Sequence, residues 1–217
     1  VTVFEDLTVP VSEELGVAAR KQMAAGGITS FVEMPLNNIP ATTDVASLEL
    51  KMSHAKDSCW VDYAPMGGLV PWNTADLIPM AKAGVASFKA FVATCGSDKP
   101  GDFKNVTDWE LYRGMREIAK VDGLVVVHCE NATITDELGR EAMAAGKPLV
   151  SDYVATRPIF TEVEAVRRVL MIAEATGCRV HIAHCSCHEA VEAVEEAKAR
   201  GVDASFESCP HYLLLAT

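Results

Sequence analysis

The chain has 217 residues, and its 19 Lys and Arg against 30 Asp and Glu leave a formal charge of −11. That balance lacks the basic face a nucleic acid or an anionic membrane surface requires, while 49% hydrophobic and 23% charged residues make a folded domain rather than a disordered chain. No apolar run approaches the roughly 18 residues of a membrane span, and no basic-then-apolar signal segment opens the chain, so no membrane role and a cytoplasmic setting are expected.

In chain order, residues 1–7 read as a possible first strand and residues 12–25 as an amphipathic helix. Strand-length apolar runs then follow at 28–35, 59–67, 85–94, 124–130, 179–186 and 203–213. Between them, residues 44–56, 74–83, 108–120, 133–145, 161–176 and 188–200 carry apolar side chains at helical spacing. Thr161 with Glu164 reads as a capping box, and Gly177 and Gly201 stand where left-handed helix caps are expected. Seven cysteines, an odd number scattered through the chain, suit small buried thiols in a reducing compartment.

Alternating strands and helices, with strands apolar on both faces, imply a parallel sheet covered on both sides. The sequence has no GxGxxG after its first strand and no GxxxxGK[ST], which takes support from the phosphate-cradling open sheets. The preferred reading is an α/β (β/α)8 TIM-type barrel, incomplete here, with residues 1–217 as one partial barrel domain. A start at Val1 and an end in the strand-like run His211-Tyr-Leu-Leu-Leu suggest a piece of something longer.

In such folds chemistry collects where strands end. Lys89 stands in Val-Ala-Ser-Phe-Lys-Ala-Phe-Val-Ala, His128 follows Leu-Val-Val-Val, and His184 follows Val-His-Ile-Ala, on successive strands. An ammonium buried in an apolar strand loses hydration and has its pKa lowered, and the neutral amine is a nucleophile. It can form a Schiff base with a carbonyl, or take up carbon dioxide as a carbamate able to bridge two cations. Neutral imidazoles at strand ends suit zinc, iron or cobalt. Strand parity sets His181 and His184 on opposite faces, so only one is expected to reach the site. Asn37, Thr94 with Cys95, Glu130-Asn131 and residues 208–211 fall in loops ringing the same mouth. A Cys95 nucleophile with His128 as base, and a zinc cluster within residues 181–188, are weaker readings without an oxyanion-hole motif or a second ligand pair.

Seven ordered segments resemble one family: Gly-Gly-Ile-Thr-Ser (26–30), Glu-Met-Pro-Leu-Asn (33–37), Phe-Lys-Ala-Phe-Val-Ala-Thr-Cys-Gly (88–96), Val-His-Cys-Glu-Asn-Ala (127–132), Asp-Tyr-Val-Ala-Thr-Arg-Pro-Ile-Phe-Thr-Glu-Val-Glu-Ala (152–165), His-Ile-Ala-His-Cys-Ser (181–186) and Glu-Ser-Cys-Pro-His-Tyr (207–212). They look like the cyclic amidohydrolases, and more like the allantoinases than the dihydroorotases or hydantoinases. The resemblance implies a metal-dependent barrel with a small β-sandwich, often tetrameric, that hydrolyses a cyclic ureide, allantoin to allantoate. It implies a carboxylated Lys89 bridging two divalent metals, zinc foremost, with His128 and His184 on the more exposed one. Thr94, Asn37 and Ser208 match positions near substrate. It also implies a His-x-His pair, where this chain has Thr2-Val3-Phe4, and an aspartate on a last strand, absent here along with the sandwich. A hydrolase fragment is therefore weighed against a non-catalytic scaffold that has lost one metal site, and against a Schiff-base lyase.

Overall fold

The structure, a computed structural model, describes residues 22–36, 38, 40–56, 59–96, 99, 101–147 and 149–214. After a helical turn over 22–25, β1 (Ser30–Glu33), α1 (Val45–Ala55), β2 (Asp62–Gly68), α2 (Leu77–Lys82), β3 (Ser87–Phe91), α3 (Asp108–Ala119) and β4 (Leu124–His128) alternate. Three helices in succession follow, α4 (Ala132–Ala144), α5 (Val150–Ala155) and α6 (Ile159–Thr176), before β5 (Arg179–Ile182), α7 (His188–Ala199), β6 (Ala204–Phe206) and α8 (Pro210–Leu214). Local chemistry sets the boundaries. Asp44 and Ser47 form a capping box on α1, Thr107 and Glu110 another on α3, and the Asn131 side chain caps α4. Gly177 closes α6 in the left-handed region at φ 66°, as its position in the sequence predicts.

All six strands are parallel and lie in the order of the sequence, β1 to β6. A doubly wound sheet needs a reversal of strand order, and this sheet has none, so it is the curling wall of a barrel. Alternate residues divide the strands between two environments. Phe88, Ala90, Val125, Val127, Val180, Ile182 and Ala204 pack outward on Leu111, Met115, Ile118, Val166, Val169, Leu170 and Val194 of the helices in one core. Met66, Val126 and Ala183 form a separate cluster with Met34 and Leu124 on the concave side. The register sets Gly68, Lys89, Val126, His181 and Ser205 abreast across that side.

Three sequence expectations need correction. Thr161 is not a cap: the helix starts two residues earlier behind Pro158, whose ring pre-sets the entry, and Thr161 turns its hydroxyl to the Pro158 carbonyl at 2.7 Å. The expected strand over 203–213 stops at Phe206, and His211-Tyr-Leu-Leu is helical in α8, because Pro210 starts a helix well and cannot donate to a ladder. The third is the direct step from the helix at 133–145 to the next at 161–176, which the structure interrupts with α5, a six-residue helix without a buried residue for which periodicity offers no signal. The possible strand over 1–7 and the helical reading of 12–21 lie outside the described residues. No helix among the described residues is long and apolar enough to cross a membrane.

Candidate functional site

Lys89 lies in the middle of β3, a strand buried throughout, with 2% of its surface exposed. Parity turns its side chain to the concave face beside Phe91, and the ammonium nitrogen sits 4.7 Å from that ring's centroid. A charged amine so placed is costly to desolvate, which makes it an unusual choice for a structural position.

His128 ends β4 directly abreast of Phe91, on whose ring its imidazole stacks at 4.9 Å between centroids. His184 lies two residues past the end of β5, and the two rings meet edge to face at 4.6 Å, with His128 Nδ1 2.9 Å from His184 Nε2. Two nitrogens on one tetrahedral zinc, each at about 2.0–2.1 Å, stand roughly 3.3 Å apart, so the pair converges as two ligands of one ion would. Burial first, then the charges of His128 and Lys89, push the His184 pKa down to about 4, which keeps the imidazole neutral and able to ligate. The donor set therefore suits a divalent metal, and carbon dioxide taken up by Lys89 would add the oxygen ligands it lacks. Among the described residues, His, Cys, Asp and Glu alone do not form a metal cluster of three or more.

His184 reaches this place through a backbone φ of 40°, unusual for a side chain with a Cβ. Tethers on neighbouring residues hold it there. Cys185 N donates to Glu207 O at 2.7 Å, the Ser208 hydroxyl donates to Cys185 O at 2.8 Å, and Ser186 donates through N (2.8 Å) and Oγ to the Glu162 carboxylate. Such over-determined strain of about 1–2 kcal/mol gathers at functional sites.

His128 Nε2 faces Glu130 Oε2 at 3.2 Å, and Glu130 Oε1 faces Arg157 Nε at 3.3 Å. Burial alone would raise the Glu130 pKa, but the His128 hydrogen bond and the charges of His128 and Arg157 outweigh it and hold the carboxyl below its usual range. Glu130 was placed at the mouth by its position after β4, whereas Arg157 does not stand out in the sequence by composition or period. A carboxylate two residues after a strand-end histidine was the available signal.

The parity argument that separates His181 from His184 fails, because β5 ends at Ile182 and His184 is no longer on the strand. His181 shares the register row of Lys89 on the concave side, where its Nδ1 meets Ser205 Oγ at 2.9 Å. Thr94 is exposed past β3 and donates to Asp136 Oδ2 on α4 at 2.6 Å, while Ser208 serves the backbone beside His184. Asn37 lies outside the described residues. The Cys95 thiol is half-buried and pushed up to about 11 by desolvation, first of all, which leaves it unsuited to nucleophilic attack at neutral pH.

No protein-family model matches the chain. Over 195 residues, 89% of its length, it is 51% identical to allantoinases of Salmonella paratyphi B and Salmonella newport, of which that stretch is 43%. Among solved structures it resembles the L-hydantoinase (dihydropyrimidinase) from Arthrobacter aurescens, with a TM-score of 0.85 and 36% identity over 91% of this chain and 43% of that one. A D-hydantoinase (dihydropyrimidinase) from Thermus sp. has a TM-score of 0.80 at 28% identity, over 94% of this chain and 43% of that one. The chain thus spans less than half the length of the relatives it matches. Its ordered motifs, its sequential parallel sheet and these matches agree: over nearly its whole length the chain is related to the cyclic amidohydrolases, in sequence to the allantoinases and in fold to the hydantoinases.

Proposed function

We propose that this chain supplies part of the active centre of a metal-dependent hydrolase that opens a cyclic amide, allantoin to allantoate. The observation that carries it is the convergence of His128 Nδ1 and His184 Nε2 at 2.9 Å on the face where β3 buries Lys89. His128 and His184 would hold one divalent ion, zinc suiting their imidazoles. Lys89, as its carbamate, would lend an oxygen to that ion and reach toward a second. A metal bound here supplies Lewis acidity, polarising the ring carbonyl and making water a nucleophile near neutral pH.

The remaining steps fall to the protein. Phe91, stacked on His128 and beside Lys89, keeps bulk water from the ligands' inner side. Thr94, after β3, and Ser208, after β6, are assigned to the ureide's polar edge, and Asn37, outside the described residues, is assigned there from the resemblance alone. The His-x-His pair and the aspartate that the resemblance implies have no counterpart among the described residues, so the chain is expected to hold one ion by itself and to need those groups for turnover. Seven free thiols fit a reducing cytoplasm, and the likeness to the cyclic amidohydrolases favours a homo-oligomer, a tetramer, acting on a small molecule.

Elemental analysis of the chain purified from zinc- and bicarbonate-supplemented growth tests the reading. About one equivalent of metal, lost in Lys89→Ala and His128→Asn and accompanied by loss of allantoin hydrolysis in an assembly that has it, is the expected result. A folded chain without metal would overturn it.

A further inference from the structure

His128 retains one freedom that the strand does not remove. Its backbone is held in the ladder, with His128 O accepting from Val92 N at 3.1 Å, and its ring plane is held against Phe91. Neither contact says which ring nitrogen carries the proton. The Glu130 carboxylate can only accept, so at 3.2 Å it requires the proton on Nε2. A neutral imidazole has one N–H, and Nδ1, turned to His184 Nε2, is then left with a lone pair.

The carboxylate is itself aimed. One oxygen takes His128 and the other takes Arg157, so neither can rotate away without losing a partner. Arg157 is anchored in turn: its Nη1 donates to Thr135 O at 3.1 Å and to Thr156 Oγ1 at 3.0 Å, and its guanidinium lies 4.9 Å over the Tyr153 ring. These partners come from α4, α5 and the turn before α6. A surface ion pair formed by chance would use one oxygen and leave the arginine mobile.

We propose that Glu130, aimed by Arg157, is a positioning residue that fixes the Nε2–H tautomer of His128 and so presents Nδ1 to the cation. The proposal rests on the reading of His128 and His184 as ligands. It assigns a role to a carboxylate and an arginine that lie outside the proposed ligand set. Outer partners of this kind set ligand orientation and basicity, and their loss lowers metal affinity about 10–100-fold.

The test uses the full chain and cobalt(II) as the probe, followed by its visible absorption and by competition with zinc. Imidazole nitrogen NMR of the metal-free protein reads the tautomer directly, with the His128 signals assigned by their loss in His128→Asn. The expected result is an Nε2–H His128, and cobalt binding that His128→Asn abolishes. Glu130→Ala and Arg157→Ala should weaken binding about 10–100-fold with a shifted spectrum, and Glu130→Gln, which keeps a neutral acceptor, should fall between. Unchanged thermal unfolding in Glu130→Gln separates positioning from folding. Cobalt affinity that depends on His128 but is unmoved in both Glu130 variants would overturn the positioning role and leave the metal reading standing. Cobalt bound equally well by His128→Asn would overturn the metal reading itself, and an Nδ1–H tautomer would overturn the proposal whatever the metal does.

Discussion

Lys89 and His184 stand in environments that their chemistry disfavours, and each makes a measurable difference expected. Lys89→Met keeps the length of the side chain and removes the ammonium, so the fold should persist while metal affinity falls at least about tenfold, read by equilibrium dialysis beside circular dichroism. For His184, the folded pKa of about 4 lies below the unfolded value of about 6.5. Between those values the unfolded chain binds the proton and the folded chain does not, so stability rises with pH there. The contribution is complete above about pH 6.5 and is lost as pH falls toward 4, on the order of 3 kcal/mol in all. Urea midpoints of the metal-free chain across that range check this, and a His184→Asn variant should flatten the slope. Cysteine reactivity follows the same logic: desolvation first of all raises Cys185 and Cys178 to about 12 and Cys187 to about 11, so these thiols should be alkylated slowly by iodoacetamide at pH 7.5.

At the scale of elements, caps and close approaches decide. Thr107 accepts from Glu110 N while Glu110 returns to Thr107 N at 2.7 Å, so Thr107→Ala should cost about 1 kcal/mol of unfolding free energy without moving metal affinity. Gly114 in α3 sets two effects against each other. Alanine would improve helix propensity by about 1 kcal/mol, but a Cβ there would stand 2.3 Å from Leu69 Cδ1, and Leu69 is fully buried. Overpacking costs about 1–3 kcal/mol and wins, so Gly114→Ala should lower the melting temperature. The left-handed cap at Gly177 was legible in the sequence, because a glycine just past the last helical residue is a local signal. The cap expected at Thr161 was not there, because the tertiary path of the chain brings Asn131 N against Thr161 O at 3.0 Å and starts the helix earlier.

Across the whole molecule, β1 and β6 each pair with one neighbour among the described residues, and Val32 on β1 is more than half exposed. Met143, Leu149, Val150, Tyr153, Ile159 and Phe160 add an apolar surface on the helical side. Open edges and apolar faces associate, so light scattering after gel filtration should find the isolated chain heavier than a monomer and increasingly so with concentration.

Periodicity and turn chemistry by themselves determined the alternation of strands and helices, the parallel sheet and the choice of Lys89, His128 and His184, since apolar runs of strand length and polar residues at their ends are local facts. The tertiary structure alone decided the rest. Register, which depends on strands far apart in sequence, set His181 in the row of Lys89. The left-handed backbone at His184 turned its ring to His128, and three tethers from β6, α6 and their loops keep it there. Arg157 reaches Glu130 only because the folded chain returns after two helices. Contacts of that kind have no period and no fixed spacing, and they exist only once the curling sheet has brought its own loops together.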